Sequence, residues 1–285
     1  MAATTEADVV SVLMLTVNRP QFVKPAVESL VMQDHLNWEL LIIHDGIDAR
    51  VTEAVEPWLA RDSRIRYFHR RIMGGMANAW NFGLTHARGP FIGILDDDDA
   101  WLRPDKLRRQ VECLVARSDV ACVGGGAIVV DGKGREVMRY LKPAESSECR
   151  KNALLANPIV HSTAVFRKAA VEAVGGYDEG LRGYMDWDLW LKVMRHGNVM
   201  NLPDYLATYR IWDGGGSSRN VMGNAVSAFW IVSRHRRFFK RFPLAIVATL
   251  CYIAFALLPS ALRRQSYQTL SQLKKRAFAS RSPAS

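Results

Sequence analysis

The sequence predicts an α/β protein with a doubly wound, mixed sheet, followed by a helical tail that associates with a membrane. Three observations support this prediction. Short apolar runs alternate with segments of helical spacing in the first half of the chain, a pattern typical of strands connected by helices. Acidic residues follow two of these runs, and ligands of such sheets gather at the carboxyl ends of strands. The excess positive charge lies in the last quarter of the chain, beside an uncharged apolar segment.

The predicted elements follow from the pattern along the chain. Apolar runs such as VVSVLMLTV and WELLIIH are typical of buried strands. The predicted strands cover 9–17, 38–44, 65–69, 90–95 and 120–130. The segments between them have apolar residues at helical spacing. The predicted helices cover 22–33, 50–60, 76–87, 101–115 and, in the tail, 220–231. The DGKG sequence after the last of these strands predicts a tight turn.

The composition divides the chain into two parts. We expect an α/β domain over 1–216, which ends in a glycine-rich loop, and a basic helical tail over 217–285. The tail has twelve Lys and Arg and no Asp or Glu, whereas the rest of the chain has 26 basic and 28 acidic residues. Nucleic-acid binders usually carry basic residues on the reading fold itself. Charge confined to a tail therefore argues against a nucleic-acid partner.

The apolar segment 242–262 indicates a membrane surface as the partner of the tail. Basic residues flank it on both sides, RHRRFFKR before it and RR then KKR after it, as in segments that attach to anionic membranes. Its strongly apolar part would be roughly 22 Å long as a helix, against a hydrocarbon layer of roughly 30 Å. We therefore expect a helix that lies in the interface or enters it shallowly. A spanning helix and a core helix packed on the α/β domain stay open.

Four consecutive carboxylates, Asp96 to Asp99, directly follow the apolar run PFIGIL. A solvated loop, or helix capping by Asp99 or Asp105, would be a simpler explanation, but neither needs four carboxylates in a row. Their mutual repulsion favours a cation that neutralises them. Mg²⁺ takes oxygen ligands, commonly one or two carboxylates plus substrate phosphates. The four cysteines are far apart with no CxxC pair and do not indicate a zinc site.

The chain resembles the family 2 glycosyltransferases, inverting enzymes of the GT-A fold that use nucleotide-activated sugars. The resemblance rests on motifs in a fixed order: VSVLMLTVNRP, WELLIIHDG, GGMANAWNFGLTHARGPFIGILDDDDAWLRPDKL, and GYMDWDLWLKV followed by YRIWDGGGSS. Together they cover about 9–218. The QxxRW signature of processive members is absent, which favours transfer of single sugars.

The resemblance implies a role for individual residues of these motifs. Asp96 and Asp98 of the acidic DXD-type motif would bind a divalent cation, Mg²⁺ or Mn²⁺. Asp97 would face the ribose or the donor sugar, and Asp45 would contact the base. The other donor-binding residues that it implies are Thr16, Asn18, Arg19 and Asn81.

The resemblance also implies a second chemical centre, at Asp186 in MDWDLW. Asp186 would be the general base that takes the proton of an acceptor hydroxyl. Met185 stands where the family usually has Glu, and Asp188 is expected to support the site or cap the helix. Without the resemblance, an aromatic core stripe with surface aspartates would explain the motif. His161 lies near the presumed acceptor side and is expected to be structural.

Two positions depart from the family pattern. Trp80 stands where many members have an arginine that could meet the diphosphate, and Arg70 or Arg71 is a candidate replacement. Trp212 stands where many members have a histidine able to assist the metal or the phosphates, and Asp213 is a candidate replacement. These losses weaken the assignment of a full catalytic set.

We expect a metal-dependent, inverting, non-processive glycosyltransferase. It would move a sugar from a nucleoside diphosphate sugar to a lipid-linked glycan acceptor in surface polysaccharide synthesis, at the cytoplasmic face of the inner membrane. One alternative is a catalytically inactive, membrane-bound nucleotide-sugar binder, which the missing arginine and histidine permit. Another is a related nucleotidyltransferase, which would need a basic, glycine-rich phosphate loop that VNRPQF does not provide.

Overall fold

The computed structural model describes residues 8–71, 74–212, 220–259 and 262–263. The strands are β1 (Val10–Thr16), β2 (Trp38–His44), β3 (Ile65–His69), β4 (Phe91–Ile94), β5 (Ala100–Trp101), β6 (Val120–Val130), β7 (Glu136–Tyr140), β8 (Val165–Arg167) and β9 (Asn198–Arg210). They form one mixed sheet in the order β3-β2-β1-β4-β8-β6-β9-β5, with β7 paired to β6. The helices are α1 (Pro20–Val31), α2 (Ala49–Leu59), α3 (Met76–His86), α4 (Lys106–Ala116), α5 (Ser146–Asn152), α6 (Lys168–Glu172), α7 (Met185–Val193), α8 (Val221–His235) and α9 (Phe242–Leu257).

The first half of the sheet is parallel and buried on both faces. β1 lies between β2 and β4, so that Val10 pairs with both Trp38 and Phe91. Every residue of β1 and β2 is buried, because α1, α2 and α4 cover one face and α3 and α7 cover the other. Continuous apolar runs are typical of strands in this environment. The predicted strands 38–44, 65–69 and 120–130 are confirmed to the residue.

The helix predicted over 101–115 begins later, at Lys106. Trp101 belongs instead to the short strand β5, which pairs antiparallel with β9. The backbone N–H of Trp101 donates to Ser29 Oγ at 3.0 Å, which holds this segment in the sheet. Of the two residues weighed as helix caps, Asp105 occupies the cap position and Asp99 does not. Asp105 stands at the N-cap of α4 but makes no capping hydrogen bond, and Asp99 accepts a hydrogen bond from Arg210 N of β9 at 2.8 Å.

The two described tail helices pack on the α/β body. Ile231 and Val232 of α8 are fully buried in the core that contains α7. α9 turns its small residues inward, with Ala245, Thr249 and Ala256 buried. Phe242, Ile246 and Tyr252 also pack against the core, whereas four other large residues remain exposed to solvent: Leu244 by 56%, Val247 by 55%, Leu250 by 51% and Leu257 by 71%. In the described ranges, no helix is long and apolar enough to cross a membrane.

Candidate active site

A cleft of about 430 Å³ lies beyond the carboxyl ends of β1 and β4. Its walls include Arg19 from the loop after β1, Asp96 and Asp98 from the loop after β4, and Asp186 from the first turn of α7. The fold therefore brings the acidic run and Asp186 into one cleft, although they lie about ninety residues apart in the sequence. This is the edge of an α/β sheet at which ligands are expected.

Arg19 neutralises part of the acidic run. Its Nη2 lies 2.5 Å from Asp97 Oδ1, and its Nη1 lies 3.0 Å from Asp98 Oδ2. The Asp97 side chain has no exposed surface, and burial raises the pKa of Asp97 to about 8 even though Arg19 lowers it. Asp98 Oδ2 also accepts a hydrogen bond from Trp212 Nε1 at 2.9 Å. Positive charge and N–H donors therefore already converge on the carboxylate that borders the cleft.

A histidine and a serine connect the rest of the acidic run. Ser162 Oγ donates to Asp96 Oδ2 at 2.6 Å and lies in hydrogen-bond contact with Asp99 Oδ2. His161 Nδ1 lies 3.4 Å from Asp96 Oδ2, and its Nε2 lies 3.0 Å from Tyr177 Oη. Burial lowers the pKa of His161, but the Asp96 carboxylate outweighs it and holds that pKa above its usual value. His161 thus lines the cleft, and the structural role expected from the sequence stays a prediction.

Asp186 is held by residues that the sequence analysis did not select. Asn157 Nδ2 donates to Asp186 Oδ2 at 2.5 Å. The orientation of this amide is set because Asn157 Oδ1 accepts the backbone N–H of Ile159 at 3.3 Å. Lys142 Nζ in turn donates to the backbone carbonyl of Asn157 at 2.7 Å. The only sequence signal for this group was the proximity of Asn157 to His161 in NPIVH, and 29 residues separate Asn157 from Asp186.

Asp188 fixes the helix that carries Asp186. Its carboxylate is fully buried, with His235 Nε2 at 2.9 Å, Arg234 Nη1 at 3.2 Å and Lys192 Nζ at 3.4 Å. Burial raises the pKa of Asp188, but these partners outweigh it and hold the pKa below its usual value. Since His235 and Arg234 belong to α8, the cluster joins α7 to α8. The interpretation of a surface aspartate is therefore wrong for Asp188, and its support of the site stays a prediction.

The other residues assigned to the donor lie outside the walls of this cleft. Thr16 is fully buried at the end of β1. Asn18 Oδ1 accepts backbone N–H groups of Ile47 and Asp48 at 3.0 and 2.9 Å, which ties the loop after β1 to the start of α2. Asn81 uses its amide on Tyr177, donating to the carbonyl at 2.9 Å and accepting the N–H at 2.8 Å. Their donor-binding roles stay predictions.

Asp45 lies nearly buried after β2, with Arg70 Nη1 3.8 Å from its Oδ1. Burial raises the pKa of Asp45, and Arg70 partly offsets that rise. Beside it, a more open depression of about 560 Å³ is lined by His69 and Arg71 among others, and none of the acidic run faces it. Replacement of the missing arginine by Arg70 or Arg71 stays a prediction, and Asp213 lies outside the described residues.

Comparisons of the sequence with known proteins agree on one family. The model described as Glycosyl transferase family 2 matches residues 11–175. An uncharacterized glycosyltransferase of Haemophilus influenzae is 29% identical over 88% of this chain and 93% of its own length. The O-antigen biosynthesis glycosyltransferase WbnJ of Escherichia coli is 27% identical over 70% of this chain and 80% of its own length. An uncharacterized glycosyltransferase of Rickettsia conorii is 30% identical over 65% of this chain, and the match spans 31% of that longer protein.

Solved structures share the fold. The mannosyltransferase PcManGT of Pyrobaculum calidifontis, in complex with GDP-Man and Mn²⁺, matches with a TM-score of 0.64 at 18% identity over 93% of this chain and 79% of that one. Residues 1–349 of S. aureus TarS, in complex with UDP-GlcNAc, match with a TM-score of 0.63 at 15% identity over 87% of this chain and 73% of that one. At such identities the likeness concerns the fold.

Proposed function

Because the chain belongs to glycosyl transferase family 2, we propose that it moves one sugar from a nucleoside diphosphate sugar to an acceptor hydroxyl, with inversion at the anomeric carbon. The family and the GT-A-like α/β fold predicted from the sequence are confirmed. The observation that carries the proposal is the shared cleft, in which the acidic run faces Asp186. Such an arrangement would allow a donor diphosphate and an acceptor base to lie in one cleft.

The proposal includes a divalent metal, Mg²⁺ or Mn²⁺, held by Asp96 and Asp98. In the part of the chain that the structure describes, no group of three or more His, Cys, Asp or Glu could hold a metal ion by itself. A cation that completes its shell with substrate phosphates needs only one or two carboxylates, and Asp96 and Asp98 both reach the cleft. When bound, the metal would neutralise the charge that develops on the departing diphosphate. A structural relative holds Mn²⁺ together with GDP-Man.

Several residues of the chain then act in a single displacement at the anomeric carbon. Asp186 accepts the proton of the acceptor hydroxyl as its oxygen attacks the anomeric carbon, in line with the departing nucleoside diphosphate. A single displacement from the opposite face inverts that carbon, so one base is sufficient. The Asn157 amide donates a hydrogen bond to one carboxylate oxygen of Asp186 at 2.5 Å and thereby orients that carboxylate. Arg19 lies at the other end, beside the acidic run, where negative charge builds up.

For the acceptor, we propose a lipid-linked glycan of surface polysaccharide synthesis, reached from the cytoplasmic face of the membrane. One relative is an O-antigen biosynthesis glycosyltransferase. The exposed apolar side chains of α9 support a membrane location, since monomeric soluble proteins rarely expose large apolar patches. The exposed Arg236, Arg237, Lys240 and Arg241 directly precede this helix and would meet anionic headgroups.

The test is a panel of nucleoside diphosphate sugars, each offered with Mn²⁺ or Mg²⁺, with donor binding read by thermal shift and transfer read by mass spectrometry. Asp186→Asn should keep donor binding and lower turnover by about 10² to 10⁴, the usual contribution of a positioned base. Asp34→Asn, an exposed carboxylate outside the cleft, should keep turnover. Wild-type turnover in the Asp186→Asn protein would exclude Asp186 as the base. Donor binding without any transfer would instead support an inactive nucleotide-sugar binder.

A further inference from the structure

We propose that the acceptor carries a phosphate group and that Arg182 binds it. Of the residues that the structure describes, four Lys or Arg side chains line the cleft: Arg19, Lys142, Arg182 and Arg210. Three of them have acceptors within the protein, as Arg19 pairs with Asp97 and Asp98, Lys142 donates to Asn157 O, and Arg210 donates to Asp98 O and Asp131 O. Among the described residues, the guanidinium of Arg182 has no such acceptor. This inference rests on the proposed transferase function.

The backbone that carries Arg182 is tightly held although its side chain is exposed. Arg182 N donates to Ser227 Oγ of α8 at 3.2 Å. At the next position, a Cβ on Gly183 would lie 1.9 Å from Asn224 Oδ1, so a larger residue there would have to displace the buried Asn224 side chain. Tyr184 then adopts a left-handed conformation with φ of 54°, which is uncommon for a residue with a large side chain. Such local strain clusters at binding and active sites.

The position of Arg182 separates its ligand from the donor diphosphate. The donor phosphates belong at the end of the cleft formed by Asp96 and Asp98, whereas Arg182 lies four residues before Asp186, on the loop that leads into α7. Asp186 and the acidic run would repel an anionic acceptor unless a cation offsets them. The planar fork of a guanidinium matches phosphate oxygens and can bind two of them together. A phosphate held by Arg182 would therefore place the attached sugar beside the base.

One wall residue of the cleft, Tyr184, contacts the apolar helix α9. Tyr184 Oη lies 3.4 Å from Tyr252 Oη, and Tyr252 belongs to α9. The segment from Arg182 to Tyr184 thus touches both the acceptor side of the cleft and the helix with the exposed leucines. A lipid-linked sugar phosphate or diphosphate has this same order of parts, with an apolar chain, a phosphate and then a sugar. A phosphodiester within a glycan would offer the same oxygens without the lipid.

The experiment compares three acceptors that present the same sugar to the full-length enzyme: a citronellyl diphosphate-linked sugar, a glycerol phosphate-linked sugar and a neutral octyl glycoside. Arg182→Gln should raise the KM for both phosphorylated acceptors by about tenfold or more, in line with a charge-assisted hydrogen bond. It should change kcat/KM for the octyl glycoside by less than about twofold. Arg182→Lys should recover part of the loss. A preference of the wild type for the citronellyl acceptor over the glycerol acceptor would identify the lipid as the source.

Arg61→Gln is the matched control, because it removes the same charge from an exposed position outside the cleft. An equal loss with phosphorylated and neutral acceptors, or no loss with either, overturns the inference but leaves the transferase function standing. If the wild type transfers sugar to none of the three acceptors, the role of Arg182 is tested by binding. Citronellyl diphosphate is then titrated into the protein saturated with Mn²⁺ and nucleoside diphosphate. Equal affinity of wild type and Arg182→Gln in that titration overturns it too. Failure of every nucleotide sugar to bind would instead count against the proposed function.

Discussion

At the scale of single residues, the acidic run contains two kinds of carboxylate. Asp97 and Asp99 are 0% and 4% exposed, and burial raises the pKa of both. The side chains of Asp96 and Asp98 are 27% and 14% exposed and border the cleft. The four residues form a turn after β4, closed by the Asp99 N–H, which donates to the Asp96 carbonyl at 3.1 Å. Of the carboxylates of the run that line the cleft, Asp96 and Asp98 are the more exposed, and these are the two residues to which the resemblance assigned the metal.

We predict that Asp98→Ala removes the metal-dependent part of nucleotide binding. The carboxylate borders the cleft, and a divalent cation shared with a diphosphate would lose one of its few protein ligands. Titrating UDP and GDP into the protein by calorimetry, with and without MnCl₂, should show a gain in affinity from Mn²⁺ for the wild type and little gain for the variant. Asp34→Ala should behave as the wild type. A full Mn²⁺-dependent gain in the Asp98→Ala protein would contradict the assignment of Asp98.

His44 should make the protein less stable in mild acid. Its side chain is fully buried between β1 and β3, with its ring stacked 4.4 Å from His69, and burial together with His69 lowers the pKa of His44 to about 4. The unfolded chain therefore binds a proton more readily than the folded one between about pH 6.5 and pH 4. The contribution of the neutral His44 ring to the stability of the folded protein is fully present above pH 6.5. It is lost as the pH falls through this window. Urea unfolding at several pH values should show a steeper loss for the wild type than for His44→Gln, and parallel curves would contradict this.

At the scale of elements, the sequence predicts the strands and helices that a local pattern determines. It misses those that depend on a partner far away in the chain. β2 and β3 were predicted to the residue because their apolar runs are bounded by polar loops. β5 was missed because Trp101 joins the sheet by pairing with Ala207, more than a hundred residues later. The same distinction applies to the site. The acidic run and Asp186 stand out within short motifs, whereas Asn157 gains its role only when folding brings it to Asp186.

The contact between α7 and α8 provides a prediction about stability. Asp188 is fully buried with three cationic or protonatable partners, two of them on α8. Removing one partner of a buried ionic group typically costs about 3 to 5 kcal/mol, since the remaining charges lose their compensation. Asp188→Ala should lower the free energy of unfolding by about that amount, measured by urea denaturation.

Glu112→Ala is the control for this measurement, because Glu112 forms an exposed pair with Arg108 at 3.4 Å. Exposed pairs contribute at most about 1 kcal/mol. If both substitutions reduced stability equally, the Asp188 cluster would not be the connection that holds α7 to α8. Loss of turnover in Asp188→Ala with donor binding intact would further show that α7 positions Asp186.

At the scale of the whole molecule, the described helices of the tail pack beside the candidate active site. α8 completes the core around α7, and α9 packs on the same core through Ala245, Phe242 and Ile246. The opposite side of α9 presents Leu244, Val247 and Leu250 to solvent. Because Tyr252 of α9 contacts Tyr184 beside the cleft, a membrane that covers α9 would lie next to the acceptor side.

We predict that full-length protein floats with vesicles containing phosphatidylglycerol and that this attachment has two separable parts. Twelve basic residues and no acidic ones follow position 216, and each can contribute on the order of 1 kcal/mol near an anionic surface. Salt screens that part over roughly 8 Å at physiological ionic strength, so attachment should weaken in high salt. The part due to buried apolar side chains should persist.

A triple substitution of Leu244, Val247 and Leu250 by serine isolates the apolar part, because each of these side chains is at least 51% exposed and its loss leaves the core intact. This variant should remain folded, still bind at low salt through its basic residues, and detach at high salt where the wild type stays bound. Substitution of Val31, Met32 and Leu36 by serine is the matched control, since these residues are 42%, 64% and 69% exposed on another surface. If the wild type failed to float at low salt, or if both triple variants detached alike, α9 would not be the membrane-binding element.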